Sequence, residues 1–216
     1  MTLDQIKAKA NEDFFFFAKH VLGYKDLQTQ PHQELCNILT NQKRQKLLLL
    51  PRGSFKSSLA TISFPVWRLC QNRDLRFLIA SETHSNAKRY LVEIKSHLSD
   101  NKKLKALYGK LKPSSLKGAQ WNESEISLPG RRVLKDPSIS VAGVDQERVG
   151  THADYVICDD IVTHNSVGTP ERIQKTIDYY KYLMSILDPN CFLIVIGTRY
   201  HHSDLYSYIL EEHKDI

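Results

Sequence analysis

The segment Pro51–Ser58 has the residue types of a loop that binds phosphate. It follows an apolar run, reads Pro-Arg-Gly-Ser-Phe-Lys-Ser-Ser and precedes a stretch with helical spacing. A loop at such a junction aims backbone N–H groups and a helix N-terminus at an anion. Lys56 would reach the β- and γ-phosphates of a nucleotide, and the Ser57 hydroxyl would ligate Mg²⁺. Phe55 and Leu50 stand where the usual pattern has glycine, so an ordinary strand–helix junction is the alternative.

Two adjacent carboxylates follow a second apolar run, Tyr155–Cys158, much further along the chain. At the carboxyl end of a strand beside a phosphate-binding loop, Asp159 would hold the hydrated Mg²⁺. Asp160 would orient and polarise the attacking water, a position that most such ATPases fill with glutamate. A helix cap after a strand would give the same two residues. The loop and the carboxylate pair together predict a nucleotide hydrolase.

A third polar turn follows the last apolar run of the chain. Gly197, Thr198 and Arg199 could place a hydroxyl near the γ-phosphate and an arginine that senses its charge. A polar turn after a buried strand is the alternative. The adjacent His201 and His202 do not indicate a metal site, because neighbouring residues of a strand point to opposite faces and no third ligand is evident.

Apolar runs and helical spacings alternate along the chain and must position these three loops. The pattern predicts strands over 46–50, 75–80, 138–143, 155–158 and 191–196, with a short one over 125–128. It predicts helices over 2–22, 31–42, 57–71 and 83–99, from 170 onward and from about 203, with Pro65 interrupting the third. Such alternation indicates parallel βαβ units in a three-layer α/β domain that binds ligands beyond the carboxyl ends of its strands.

The composition limits the class of protein. With 216 residues, 41% hydrophobic and 25% charged, the chain fits one globular domain rather than a disordered segment. No apolar run reaches the length of a membrane helix, and no signal peptide is visible. The four cysteines form no CxxC pair, which argues against a zinc ribbon and fits reduced, intracellular thiols.

The net charge of +6 is concentrated in one segment, residues 102–135. That segment holds nine lysines and arginines and two glutamates, so the rest of the chain is close to neutral. A local basic block predicts a polyanion partner, with a solvated lysine face as the alternative. The lysines that would make sequence-independent contacts with the phosphates of a nucleic acid are Lys102, Lys103, Lys105, Lys110 and Lys112.

Four motifs, in this order, resemble those of the ATPase domain of phage large terminase subunits. Pro31–Gln33 resembles the family's adenine-reading motif, and Pro51–Ser57 resembles its variant Walker A loop, in which an arginine precedes the glycine. Tyr155–Asp160 resembles the Walker B strand, and Ile196–His201 resembles the coupling motif that links hydrolysis to movement. The resemblance covers nearly the whole chain.

The resemblance implies a P-loop NTPase fold of the RecA/ASCE type, with a helical lead-in over 1–42 and a core over 46–212. It implies ATP and Mg²⁺ as cofactors, and ATP-driven translocation of double-stranded viral DNA into a procapsid. The subunits would form a homo-oligomeric ring in the host cytoplasm, with a portal protein and a small terminase subunit as partners and no membrane. Because no acidic metal cluster is evident, we expect the family's nuclease half to be missing and the chain alone not to cleave DNA.

The resemblance also assigns residues. Catalytic roles fall to Lys56, to Asp160, to Arg52 as a phosphate sensor and to Arg148 as a finger that enters a neighbouring subunit. Ser57 and Asp159 would hold Mg²⁺. The residues expected to bind nucleotide are Gln33, Pro51, Arg52, Gly53, Ser54, Phe55, Lys56, Ser57 and Ser58. The residues expected to couple hydrolysis to movement are Gly197, Thr198 and Arg199.

Two other functions fit parts of the same pattern. One is a helicase-like or DNA-repair ATPase, which should carry a second RecA-like domain that a chain of this length cannot hold. The other is a degenerate module that binds nucleotide or DNA without hydrolysis, which Phe55 in place of glycine would suggest.

Overall fold

The computed structural model describes residues 1–117, 119–144 and 152–213. Within these residues, a sheet with the strand order β1-β6-β5-β2-β4-β3 forms the centre of the domain. Its longer strands run parallel, and the short β3 pairs antiparallel with β4 at one edge. The strands are β1 (Gln45–Leu49), β2 (Phe77–Ser81), β3 (Glu125–Ile126), β4 (Ile139–Gly143), β5 (Tyr155–Asp159) and β6 (Phe192–Gly197).

Helices connect the strands and cover both faces of the sheet. Two π-helical turns, Phe17–Leu22 and Ser58–Ser63, lie directly after α2 and directly before α4. The α-helices are α1 (Leu3–Glu12), α2 (Phe14–Phe16), α3 (Thr29–Thr40), α4 (Phe64–Gln71), α5 (His84–Asp100), α6 (Lys102–Tyr108), α7 (Pro170–Ile186) and α8 (Leu205–Glu212).

The two faces of the sheet bury separate apolar cores. Successive side chains of a strand point to opposite faces. On β2, Phe77 and Ile79 therefore pack into the core beneath α1–α6, whereas Leu78 and Ala80 pack into the core beneath α7 and α8. The predicted three-layer α/β fold with a mainly parallel sheet is confirmed.

The strand order brings the three polar loops of the sequence to one edge. β6 lies between β1 and β5, with Gly197 opposite Leu49 and Ile196 opposite Asp159. The carboxyl ends of all three strands, and the loops that follow them, are therefore neighbours.

The predicted helix over 2–22 is wrong as a single element. It breaks at Asp13, whose backbone is extended, and the Asp13 side chain caps the next turn by accepting from the Phe16 amide at 2.8 Å. The segment then widens into a π-helical turn that ends at Gly23, where φ is +98°. An acidic side chain that bonds the following backbone amides competes with a continuous helix, which explains the break.

Other boundaries also differ from the prediction. The backbone stays helical across Pro65, but it changes there from the π-helical turn Ser58–Ser63 to α4. Proline has no N–H to donate, so it disturbs the regular α-helical hydrogen bonds without ending the helix. The lysine-rich segment contains α6, which the sequence did not reveal, and β3 is shorter than the strand predicted over 125–128. None of the described helices has the length and apolar composition needed to cross a membrane.

Gly197 ends β6 where α8 approaches the sheet most closely. A Cβ atom at this position would lie 1.8 Å from the hydroxyl oxygen and 2.4 Å from the Cζ atom of Tyr206. Tyr206 is fully buried and cannot swing into solvent. Only glycine therefore permits this packing between β6 and α8.

We predict that Gly197→Ala lowers the free energy of unfolding by about 1–3 kcal/mol, because the added methyl group overpacks a buried contact. Urea unfolding followed by far-UV circular dichroism measures the change. Gly168→Ala is the matched control, since its Cβ would meet the Asn165 carbonyl at an ordinary 3.6 Å. Equal unfolding midpoints for the two variants would contradict the prediction.

Candidate nucleotide-binding site

The loop after β1 wraps around a cavity of about 280 Å³ lined by residues 53–58. Gly53 has a φ of +78°, and Phe55 has a φ of +56°, so both occupy the left-handed region. That conformation is unfavourable for a bulky residue such as phenylalanine. The Phe55 ring packs edge-on against the His32 ring of α3, with centroids 5.1 Å apart. The loop therefore adopts a glycine-like backbone without the glycine, and α3 supports it.

Lys56 joins the loop to the carboxylates after β5. It lies at the start of the helical segment that follows the loop, and it is only 6% exposed. Its Nζ atom is 3.7 Å from Oδ2 of Asp160. The sequence-predicted lysine and one of the sequence-predicted carboxylates are therefore in direct electrostatic contact.

Asp159 is a fully buried carboxylate at the end of β5. The Thr61 hydroxyl, from the π-helical turn before α4, donates to its Oδ2 at 2.5 Å. Burial raises the pKa of Asp159 to about 6, an effect that hydrogen bonds from Thr61 and Ser57 oppose. Its Oδ1 atom is buried and has no hydrogen-bond partner.

A magnesium ion suits this arrangement. Mg²⁺ prefers oxygen ligands, and the Asp159 Oδ1 atom and the Ser57 hydroxyl supply two of them beside the phosphate-binding loop. A divalent cation would also neutralise a carboxylate that is otherwise costly to bury. The residues present therefore fit the metal that the sequence predicts.

Asp160 follows β5 in a strained conformation. Its φ is +47°, its backbone amide donates to the Ile196 carbonyl at 3.0 Å, and its Oδ1 atom is buried without a partner. Left-handed non-glycine residues cost free energy and concentrate at functional sites. The strain turns the carboxylate back toward Lys56 and the phosphate-binding loop.

Sequence reasoning missed two residues of this cluster. Tyr90 of α5 lies near this cluster, since burial together with the charges of Asp159 and Asp160 raises its pKa. Thr61 could have been found, because it lies about one helical turn after Ser57 and shares its face. Tyr90 could not, because nothing in the sequence links it to the loop.

The loop after β6 contacts the phosphate-binding loop at two points. The Thr198 hydroxyl donates to the Leu50 carbonyl at 3.0 Å. The Arg52 guanidinium donates to the Tyr200 hydroxyl at 2.8 and 3.2 Å. Arg199 instead donates to the Ser207 hydroxyl of α8 at 2.7 Å. Thr198 and Arg52 thus lie at the predicted site, whereas Arg199 turns toward α8.

The remaining predicted residues are distributed unevenly. Gln33 lies half-buried on α3, next to His32, while Arg148 falls outside the residues that the structure describes.

The adjacent His201 and His202 have ring centroids 4.2 Å apart. In the described part of the chain, no group of three or more histidine, cysteine, aspartate or glutamate residues is placed to hold a metal.

Three of the five predicted DNA-contacting lysines line one cavity. Lys105, Lys110 and Lys112 line a cavity of about 240 Å³ between the C-terminal end of α5 and the segment after α6. Lys103 instead donates to the His20 carbonyl at 2.9 Å, and Lys102 is exposed on α6.

Comparison with known proteins gives one curated relative and several solved structures. The terminase large subunit of Enterobacteria phage T3 is 25% identical over 176 residues, which cover 80% of this chain. The chain is similar to phage large terminases. It spans 29% of the length of that relative. The sequence matches no established family model.

Solved terminase structures share the fold. The large terminase of bacteriophage HK97 aligns with a TM-score of 0.60 and 13% identity, over 94% of this chain and 41% of that one. A point variant of the large terminase ATPase domain of Thermus phage P74-26 aligns with a TM-score of 0.56 and 16% identity, over 89% of this chain and 72% of that one. Saccharomyces cerevisiae Dbp5, in a complex that includes ADP, has a TM-score of 0.53 and 10% identity, over 92% of this chain and 49% of Dbp5. The chain thus shares its fold with large terminases and, more distantly, with Dbp5.

We predict that Asp159→Asn stabilises the terminase-like domain at pH 7.5 by about 1–3 kcal/mol, because it removes a charge whose pKa burial raises above its ordinary value. The gain should shrink as the pH falls through 6, where the folded protein takes up a proton, and should vanish below 4. Urea unfolding in EDTA at pH 7.5 and 4.0 measures both.

Asp160→Asn is the matched control for this experiment. It should lower stability at pH 7.5, because it leaves the buried Lys56 without its carboxylate partner. A loss of stability in Asp159→Asn at pH 7.5 would contradict the prediction.

Proposed function

We propose that this domain hydrolyses ATP to translocate double-stranded viral DNA into a procapsid, as the motor domain of a large terminase. The observation that carries the proposal is the cluster of Lys56, Asp159 and Asp160 at the end of β5, with two buried carboxylate oxygens that have no partner. Such oxygens suit a hydrated cation and an attacking water. Similarity to large terminases in sequence and fold supports the same function.

Each residue has a distinct role in this proposal. Lys56 and the backbone amides of residues 53–57 bind the β- and γ-phosphates, and Ser57 and Asp159 hold Mg²⁺. A metal held by Ser57 and Asp159 would offset the negative charge that develops on the phosphates during transfer. Asp160 accepts a hydrogen bond from the attacking water and orients it toward the γ-phosphate.

Two arginines complete the proposed site. Arg52 exchanges its bond with Tyr200 for one with phosphate, and so acts as a sensor within the subunit. Arg148, which lies outside the described residues, is our candidate for a finger that enters the neighbouring subunit of a ring. This ring, a portal protein, a small terminase subunit and the host cytoplasm as location are parts of the same proposal.

Coupling runs through the loop after β6. Thr198 and Tyr200 bond the phosphate-binding loop, whereas Gly197 and Arg199 contact α8. A change at the γ-phosphate that moves the phosphate-binding loop would therefore move α8 as well. We assign coupling to Gly197, Thr198 and Arg199 on this basis.

DNA phosphates are the proposed ligands of the cavity lined by Lys105, Lys110 and Lys112. The 17 residues of α5 span about 25 Å, and Tyr90 lies about 14 Å along this helix from Ser99, which lines the cavity. DNA would therefore bind at the opposite edge of the sheet from ATP.

Replacing Lys56 with alanine should reduce DNA-stimulated ATP hydrolysis by on the order of 10²-fold or more, because the phosphate charge loses its buried partner. Phosphate release in the presence of linear duplex DNA measures the rate. Lys43→Ala is the matched control, since Lys43 is exposed and lies away from the loop.

Three outcomes separate the alternatives. A wild-type rate equal to that of Lys56→Ala would contradict hydrolysis and favour a degenerate binding module. DNA-stimulated hydrolysis accompanied by strand separation would favour a helicase-like ATPase. Stimulation by duplex DNA without strand separation supports the motor.

Charge reversal of Lys105, Lys110 and Lys112 to glutamate should weaken duplex binding. It should also reduce the slope of log affinity against log salt by up to about 0.9 for each DNA phosphate that the protein no longer neutralises. Fluorescence anisotropy at several salt concentrations measures both. The control reverses three exposed lysines elsewhere, Lys25, Lys43 and Lys181, with the same change in net charge. Equal effects of the two triple variants would contradict a localised site.

A further inference from the structure

A second polar cavity, of about 260 Å³, lies at the edge of the sheet opposite the phosphate-binding loop. Lys46, Tyr155 and Phe192 line it at or near the first residues of their strands, and Trp67 and Arg68 line it from α4. Neither the sequence motifs nor the proposed function uses this cavity. It therefore raises the question of what two cations and several aromatic rings would bind.

Lys46 is a buried cation with neutral partners. It is 3% exposed, and its Nζ atom donates to the Leu39 carbonyl at 3.3 Å and to the Asn41 carbonyl at 3.0 Å. An ammonium group has three protons, so these carbonyls account for two. Burial lowers the pKa of Lys46 to about 8, which leaves it mostly protonated at neutral pH. The Phe192 ring lies 5.7 Å from Nζ.

Arg68 is the second cation of the cavity. Its Nη1 atom donates to Gln71 Oε1 at 3.4 Å, and its guanidinium carbon lies 5.8 Å from the Trp67 ring and 5.6 Å from the Tyr155 ring. The Nε atom is buried and has no hydrogen-bond acceptor. A buried charged donor without an acceptor is costly, and ring faces replace an acceptor only in part.

No acidic side chain offsets these charges among the described residues that line the cavity. Asp154, which precedes β5, is held instead by Arg76, whose Nη2 and Nε atoms donate to it at 3.0 and 3.2 Å. Two cations therefore face one small space without a counter-charge.

We propose that this cavity, the amino-edge pocket, binds a carboxylate group. One oxygen would accept from the guanidinium of Arg68 and the other from Lys46, so that two charged donors share one carboxylate. The aromatic walls offer ring edges, which carry partial positive charge, to the same group. We prefer a carboxylate to a phosphate dianion as the ligand. A carboxylate carries less charge, so removing it from water into a pocket with apolar walls costs less free energy.

The carboxylate has two possible sources. It belongs either to a free organic acid or to an acidic side chain of a protein segment that docks at this edge. Both present the same chemistry to Arg68 and Lys46. This site is independent of the proposed motor function, since it shares no residue with the phosphate-binding loop.

Tryptophan fluorescence tests the pocket directly. The chain has two tryptophans, Trp67 in the pocket and Trp121 away from it, so a Trp121→Phe background leaves one reporter. Benzoate and a hexaglutamate peptide are titrated separately, with inorganic phosphate as a third ligand. We expect a saturable change in Trp67 emission with a carboxylate ligand, and at least tenfold weaker binding in Arg68→Gln. Lys43→Gln, which removes an exposed charge nearby, should bind as the background does.

The outcomes decide both the site and the source. Tighter binding of the peptide assigns a protein segment, and equal or tighter binding of benzoate assigns a small acid. No saturable signal, unchanged affinity in Arg68→Gln, or tighter binding of phosphate than of either carboxylate overturns the proposal. If Arg68→Gln does not fold, Lys46→Met replaces it, and protection of the background protein against urea by benzoate provides a second measurement.

Discussion

The burial of a carboxylate at the end of the central strand is the constraint on which the site depends. β5 lies between β6 and β2, so Asp159 at its end is enclosed on both sides. A charge there is tolerable only with donors or cations directed at it. Thr61, Ser57 and Lys56 supply that compensation from the segment that begins with the phosphate-binding loop. In the proposed function, the metal would therefore take the Asp159 oxygen that the fold leaves without a partner, whereas Thr61 holds the other.

The ion pair between Lys56 and Asp160 is accompanied by a strained backbone in both loops that contribute to it. Phe55 and Asp160 are the described non-glycine residues with positive φ, and they flank the pair in the two loops. A left-handed residue of this kind costs roughly 1–2 kcal/mol. The contact between the Phe55 and His32 rings stabilises the loop by roughly 0.5–1.5 kcal/mol, which offsets much of the free-energy cost of the left-handed Phe55. Replacement of the usual glycine therefore does not prevent the loop from forming, and it ties α3 to the phosphate-binding loop.

The parts of the structure that depend on local sequence could be predicted, and those that depend on distant contacts could not. The strands ending at Leu49, Asp159 and Gly197 are apolar runs followed by polar turns, and parallel pairing brings their ends together. The direction of the Arg199 side chain is set by Ser207 on α8, a partner that no local pattern reveals. Tyr90 lies near the site because α5 packs against β2 and the π-helical turn Ser58–Ser63, contacts that join distant parts of the chain. In the same way, the hydrogen bond from Lys103 to the His20 carbonyl joins residues that no local pattern relates.

Communication between the two edges of the sheet has a physical basis in α5. Tyr90 of α5 is near enough to Asp159 for the charge of that carboxylate to raise its pKa, and Ser99, one position before the end of α5, lines the lysine cavity. A helix is stiff along its axis, so a displacement at Tyr90 is carried to Ser99 rather than absorbed between them. The loop after β6 connects the phosphate-binding loop to α8, which lies on the other side of the sheet from α5. By contrast, α5 connects the two ends of the strands. Under the proposed function, a nucleotide-dependent change at the carboxylate cluster would therefore have two separate routes through the structure. The route along α5 is the one that ends at the lysine cavity proposed to bind DNA, so the proposal predicts that a stroke felt by DNA passes along this helix.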